Sequence, residues 1–262
     1  MNTSLAGKKA VVCGSSQGIG RAIATELALL GASVTVMARS PERLESVVRE
    51  LDTESGQVHG MVVADFSDQA QVKHAIDQFV NEGNSADVLI NNTGGPPGGP
   101  AVEADTDEFL SAFQSHLICN HILSTALIPK MKENGFGRII NVISTSVKQP
   151  IKGLGVSNTI RGAVANWAKT LATELGGFGI TVNNILPGMT RTVRLDSIIR
   201  SRSEKSGLSV EEVTKAMESE IPAGRIADSS EIAAAAAFLA SPAASYINGI
   251  NLPVDGGRTG CL

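Results

Sequence analysis

Short runs of apolar, β-favouring residues alternate along the chain with longer stretches in which apolar positions recur every three or four residues. KAVVCG (9–14), SVTVMA (33–38), HGMVVAD (59–65) and ADVLINN (86–92) are runs of the first kind. GRIINVIS (137–144), GITVNNILPG (179–188) and GINLPVDGG (249–257) are three more. The intervening pattern predicts helices from about Ile19 to Leu30, over PERLESVVREL opened by Pro41, and over QAQVKHAIDQFV. Helix-like periodicity also marks 107–131 and 158–175. Strands alternating with helices imply βαβ units and a parallel sheet covered on both faces. With right-handed crossovers the expected fold is a doubly wound α/β sheet. No internal repeat, low-complexity linker or composition shift marks a border, so 1–262 is expected to form a single domain. The charged segment 190–222 breaks the rhythm. Part of it is predicted helical, with Ser209 as an N-cap before Glu211 and Glu212, and an insertion of this kind is expected to act as a substrate lid.

Composition narrows the classes of function. A chain 42% hydrophobic and 18% charged is an ordinary soluble globule, and its net charge of −4 argues against a grip on nucleic acid or an anionic membrane. No apolar run is long enough to span a bilayer, and MNTSLAGKKA lacks the apolar core of a secretory signal, so a cytoplasmic location is expected. Cys13, Cys119 and Cys261 are too scattered for a disulfide framework or a metal cluster. His59, His74 and His121 have no metal spacing with any partner, and no metal is expected.

The most informative motif is CGSSQGIG (13–20), which follows the first strand and opens the first helix. Without side chains, Gly14, Gly18 and Gly20 let backbone approach a pyrophosphate and let the N–H groups at the helix start point at it. The turn Ser16–Gln17–Gly18–Ile19 is the expected phosphate-facing stretch. A second stretch, GVSNTIRGA (155–163), puts Ser157 and Arg161 four residues apart, on one face of a helix. The pair is either an N-cap with a surface charge or the remnant of a catalytic centre.

The glycine motif has the G-x-x-x-G-x-G spacing of short-chain dehydrogenases/reductases, and other segments extend the resemblance. NNTGG (91–95) is similar to that family's N-N-A-G element with Thr93 for alanine, GRIINVIS resembles its catalytic-serine strand, and PGMTRT (187–192) resembles its P-G-x-x-x-T turn. With the C-terminal run 221–257, the resemblance covers about residues 5–257 and looks most like the 3-oxoacyl-carrier-protein reductase branch. It implies a Rossmann-like fold and a dinucleotide held by Gly14, Gly18, Gly20, Asp65, Asn91, Gly94, Pro187, Gly188 and Thr192. Family members that prefer NAD usually carry a carboxylate at the end of the second strand. Here Ala38 stands there, followed by Arg39, whose guanidinium can clasp a 2′-phosphate, so NADP is expected over NAD.

The family's catalytic asparagine, serine, tyrosine and lysine map onto His116, Ser144, Ser157 and Arg161, so the resemblance implies a centre in which only the serine is kept. The His116 position is counted back from Pro129, taken as the end of its helix. Arg161 is expected to keep the positive charge on the nicotinamide ribose, whereas a serine hydroxyl is a poor acid beside a phenol. His116, whose imidazole ordinarily titrates near neutrality, is the expected replacement acid, with Lys148 as a second candidate. Three readings stay open: an NADP-dependent oxidoreductase reducing a small-molecule carbonyl or oxidising an alcohol, a lapsed dinucleotide-binding sensor or scaffold, and a dehydrating enzyme. Tyr246, the lone tyrosine, is expected to pack. The apolar surface of 107–131 and 158–175 predicts a homodimer or homotetramer.

Overall fold

The computed structural model describes residues 1–261. Seven strands, β1 (Lys9–Cys13), β2 (Ser33–Ala38), β3 (Gly60–Val63), β4 (Val88–Asn91), β5 (Gly137–Val142), β6 (Ile180–Pro187) and β7 (Asn251–Val254), form one sheet in the order β3-β2-β1-β4-β5-β6-β7. Every neighbouring pair is parallel. The helices that follow the early strands are α1 (Gly18–Leu29), α2 (Pro41–Glu50) and α3 (Gln69–Asn81). Next come α4 (Thr106–Phe113), α5 (Cys119–Asn134) and α6 (Gly155–Leu175), then α7 (Val193–Ser206), α8 (Val210–Ser219) and α9 (Ser229–Ala240).

The period-two alternation of strand side chains divides the core between the two faces of the sheet. On β1, Ala10 and Val12 join Ile23, Leu27, Val47 and Ile232 from α1, α2 and α9. Val11 and Cys13 point the other way, onto Ile76, Leu123, Leu127 and Ala168 from α3, α5 and α6. Leu27 and Leu127 are both sealed from solvent, and cutting either back to alanine is worth about 2–5 kcal/mol. No helix among the described residues is long and apolar enough to cross a membrane.

A ladder of asparagine amides crosses half of the sheet. Asn91 donates to Asn141 at 2.9 Å, Asn141 to Asn184 at 2.9 Å, and Asn184 to Asn251 at 2.8 Å, each in register on adjacent strands. The side-chain amide of Asn91, a residue expected at the nucleotide, is buried and serves the sheet.

The strand order reverses between β1 and β4, so the loops leaving their C-terminal ends diverge and open a crevice. Local structure departs from expectation in four places. Helix α6 begins three residues before Asn158 and is capped at Leu154, which places Ser157 inside the first turn rather than at the cap. Pro129 lies within α5, which continues to Asn134 and ends on Gly135 in the left-handed conformation (φ 61°). Between α4 and α5 the chain makes a π-helical step over Gln114–Ile118, a widened turn that carries His116. Tyr246 is fully exposed, contrary to the packing role expected of it. Segment 190–222 forms α7 and α8, with Ser209 capping α8 through a reciprocal bond to Glu212. Leu195, Ile199, Val213, Met217 and Ile221 give it a small apolar core of its own.

Candidate active site

One end of the crevice is made of backbone. Gly14 turns the chain out of β1 with φ 60°, and a Cβ added there would stand 2.5 Å from the Asn92 carbonyl oxygen. A Cβ on Gly20 would collide with the Gly14 carbonyl. Asn92 braces this turn by donating to the carbonyls of Cys13 and Gly14 at 3.2 and 3.3 Å. Gln17 occupies the N-cap of α1 but makes no side-chain cap, so the first N–H groups of the helix are left for a ligand. Ser16 is half-buried at the turn, and Ile19 packs in part against the core. The start of α7 closes in from the far side, with the Thr192 methyl 3.3 Å from where a Gly18 Cβ would stand. A concave, side-chain-free backbone facing uncapped amides fits a pyrophosphate.

Beyond the turn, β2 ends at Ala38 and the exposed Arg39 follows. Arg43, from the first turn of α2, donates to Gln17 at 3.1 Å, so a second guanidinium flanks the same spot. Asp65 accepts from the Ser67 amide and hydroxyl at 2.9 and 2.8 Å. These bonds hold its carboxyl below the usual range, with a smaller pull from Arg39. Gly94 is exposed on the loop after β4. Pro187 ends β6, and Gly188 passes so close to Asp255 that a Cβ would lie 2.7 Å from its Cα. Thr192 caps α7, accepting from Leu195 N at 3.3 Å.

The other end is made of side chains. Ser144 follows β5, and its hydroxyl accepts from the Ser146 amide at 3.1 Å. Ser157 and Arg161 are buried one turn apart on α6, and Arg161 donates to the Val142 carbonyl at 3.2 Å. His116 is buried, with Nδ1 2.5 Å from the Thr93 hydroxyl. Arg194 reaches from α7 across the crevice to the carbonyls of Gly95 and Pro96, at 2.5 and 2.9 Å. Burial first, then the charges of Arg161 and Arg194, push the His116 imidazole from 6.5 down to about 2. This corrects the expectation of an imidazole titrating near neutrality: His116 is neutral there. Arg161, itself pushed down to about 10 by burial and by Arg194, stays charged. Lys148 stands on the loop beyond Ser144 with no side-chain hydrogen bond among the described residues.

Residues 14–259 match a family model described as Enoyl-(Acyl carrier protein) reductase. The chain is 32% identical over 253 residues to the NADPH-dependent reductase BacG of Bacillus subtilis (strain 168), covering 95% of this chain and 97% of that protein. It is 33% identical to the 3-oxoacyl-[acyl-carrier-protein] reductase FabG of Haemophilus influenzae, covering 96% and 98%. Among solved structures, the L-sorbose reductase of Gluconobacter frateurii, complexed with NADPH and L-sorbose, superimposes with a TM-score of 0.94 at 30% identity over the whole of both chains. The chain belongs to the short-chain dehydrogenase/reductase family. Members of this family are NAD(P)-dependent oxidoreductases.

Thr93, standing where the family's alanine is expected, supplies the hydroxyl that meets His116, a pairing visible only once the β4 loop and the π-helical step are folded together. Arg194 and Arg43 were missed in the sequence because nothing in their local pattern separates them from surface or loop polar residues. Asn92 could have been found from its place in NNTGG, next to the turn it braces.

Proposed function

We propose that the protein is an NADP-dependent oxidoreductase that reduces a small-molecule carbonyl or oxidises the corresponding alcohol, with a centre in which Thr93, His116, Ser144, Ser157 and Arg161 replace the family's usual set. The observation that carries it is the gathering of these side chains at the C-terminal ends of β4 and β5, beside the glycine turn. NADP is supported by the absence of a carboxylate at Ala38 and by the two guanidinium groups, Arg39 and Arg43, around the end of β2. Relatives described as NADPH-dependent or bound to NADPH point the same way.

Bound NADPH would supply the hydride. Ser144 and Ser157 hold the substrate oxygen by hydrogen bonds. Thr93 donates its hydroxyl proton to Nδ1 of His116, which leaves Nε2–H as a fixed donor to the same oxygen. The Arg161 charge stabilises negative charge as it develops there. With His116 neutral, the proton that completes the alcohol comes from water through the Ser157 hydroxyl. Loss of a dedicated acid slows such a step by roughly 10²–10⁴-fold without abolishing it.

Anaerobic titration with NADPH and NADH, followed by a ketone panel scored for nucleotide oxidation, tests this reading. Tight NADPH binding with turnover is expected. Binding without turnover on any ketone would favour the dinucleotide-binding sensor or scaffold instead. Segment 190–222 is read as the lid over the substrate, supported by its separate core and by the reach of Arg194 across the crevice. We also infer a homodimer or homotetramer, supported by Leu110 and Phe113, which α4 exposes. Light scattering that returns a monomer mass at micromolar concentration overturns the assembly.

A further inference from the structure

The chemical end of the crevice carries positive charge with nothing to answer it. Arg161 is buried, and Arg194 folds in from the rim onto the loop that also carries Thr93 and hence meets His116. Among the described residues no carboxylate comes within 4 Å of either guanidinium, whereas Arg21, Arg191, Arg225 and Arg258 each have an acidic partner. A buried guanidinium without a counter-ion is costly, and a second one facing it adds repulsion. Both effects register on Arg161, lowered by burial first and by Arg194 second. The protein uses only part of the donor capacity: Arg161 gives one N–H to the Val142 carbonyl and Arg194 gives two to Gly95 and Pro96, out of five each. Arg194 is partly open to solvent at the rim, and three donors of Arg194 and four of Arg161 make no bond to the protein.

We propose that Arg161 and Arg194 together receive a carboxylate of the substrate, so that the reacting carbonyl or alcohol belongs to a short oxo or hydroxy acid. The fork of a guanidinium matches a carboxylate with paired, charge-assisted bonds. Neutral His116 adds an N–H to the pocket without adding a third charge. Ser157 and Arg161 are four residues apart on α6, about 6 Å along the helix, which sets the carboxylate a few bonds from the oxygen that the serines hold. The carbonyl part of this inference rests on the oxidoreductase reading above, while the anion site does not. The rival occupant is the nucleotide's own pyrophosphate, since Thr192, two residues before Arg194, approaches the glycine turn.

The test uses the full-length enzyme saturated with NADP⁺, so that phosphate groups already hold whatever they can hold. Calorimetric titration compares hexanoate with hexanamide and benzoate with benzamide. The acids are expected to bind roughly tenfold or more tighter than the amides, the size of one charge-assisted contact. In Arg194→Gln, a rim substitution that leaves the core intact, the preference should shrink below about threefold with NADP⁺ affinity unchanged. Equal affinity for acid and amide overturns the proposal. So does an acid preference that survives Arg194→Gln, or a loss of NADP⁺ affinity in that variant without an acid preference in the parent. Oxidation of NADPH by levulinate and by methyl levulinate is scored separately. An acid preference without oxidation by either compound leaves the anion site standing and removes the oxidoreductase reading. Equal oxidation of acid and ester, with no binding preference, does the reverse.

Discussion

At the glycine turn the crevice is shaped by main chain: Gly14 and Gly20 are held against Asn92 and against each other so closely that no Cβ fits. At the far end it is shaped by side chains, with His116, Ser157 and Arg161 drawn from two helices and buried around the ends of β4 and β5. The two ends tolerate change differently. A backbone cradle fails when any side chain enters it, so its residues are fixed by shape. A side-chain centre can exchange one donor for another provided charge and hydrogen bonds still balance. Here Thr93 meets His116, and Arg194 crosses to the loop that carries Thr93.

The contrast can be broken from the backbone end first. Gly14→Ala should abolish measurable NADPH binding, a loss of at least roughly a hundredfold. Its Cβ meets the Asn92 carbonyl at 2.5 Å and the positive φ adds about 1–2 kcal/mol of strain. Retained binding in a nucleotide titration would show that the turn is not the phosphate cradle. Arg39→Ala should weaken NADPH by about tenfold to a hundredfold and NADH far less, the value of one charge-assisted contact. Equal loss for both nucleotides would place Arg39 away from the 2′-phosphate.

The side-chain end predicts a pH effect of definite sign. An unfolded His116 takes up a proton below about 6.5, while burial keeps the folded imidazole neutral down to about 2. Stability from this residue is therefore full above pH 6.5 and drains away as pH falls, by up to ~1.4 kcal/mol per unit. Between pH 8 and pH 5, urea unfolding of the wild type should lose about 2 kcal/mol more than His116→Asn does. Parallel losses would mean that the imidazole is solvated or paired with an acid.

How much the sequence revealed follows the same division. The alternation of strands and helices located all seven strands to within a few residues, because burial on both sheet faces writes itself into apolar runs. The glycine turn was readable because only glycine satisfies its geometry. The chemical end was readable by position alone: Ser144, His116, Ser157 and Arg161 do gather there, but their states depend on burial. Nothing in QSHLI distinguishes a solvated histidine from one sealed beside two guanidinium groups, and nothing in VRLDS marks Arg194 as a reach across the crevice. Nothing in NNTGG shows that the side chain of Asn92 faces the turn while that of Asn91 faces Asn141.

The restoration of the family's residues should have the smallest effect. Ser157→Tyr with Arg161→Lys should change turnover little, because the acid gained on α6 is offset by loss of the Ser157 relay and of the Arg161 fork, while His116 stays paired with Thr93.

The most direct test of the central claim is single-turnover oxidation of bound NADPH by a ketone substrate, compared between wild type and His116→Ala. A donor that acts mainly in the transition state should affect rate rather than affinity. The account predicts a fall of at least about tenfold in the hydride-transfer rate, with NADPH affinity nearly unchanged and no wild-type titration near pH 6.5. A rate untouched by His116→Ala, together with strong acceleration in the Ser157→Tyr, Arg161→Lys double variant, would contradict it.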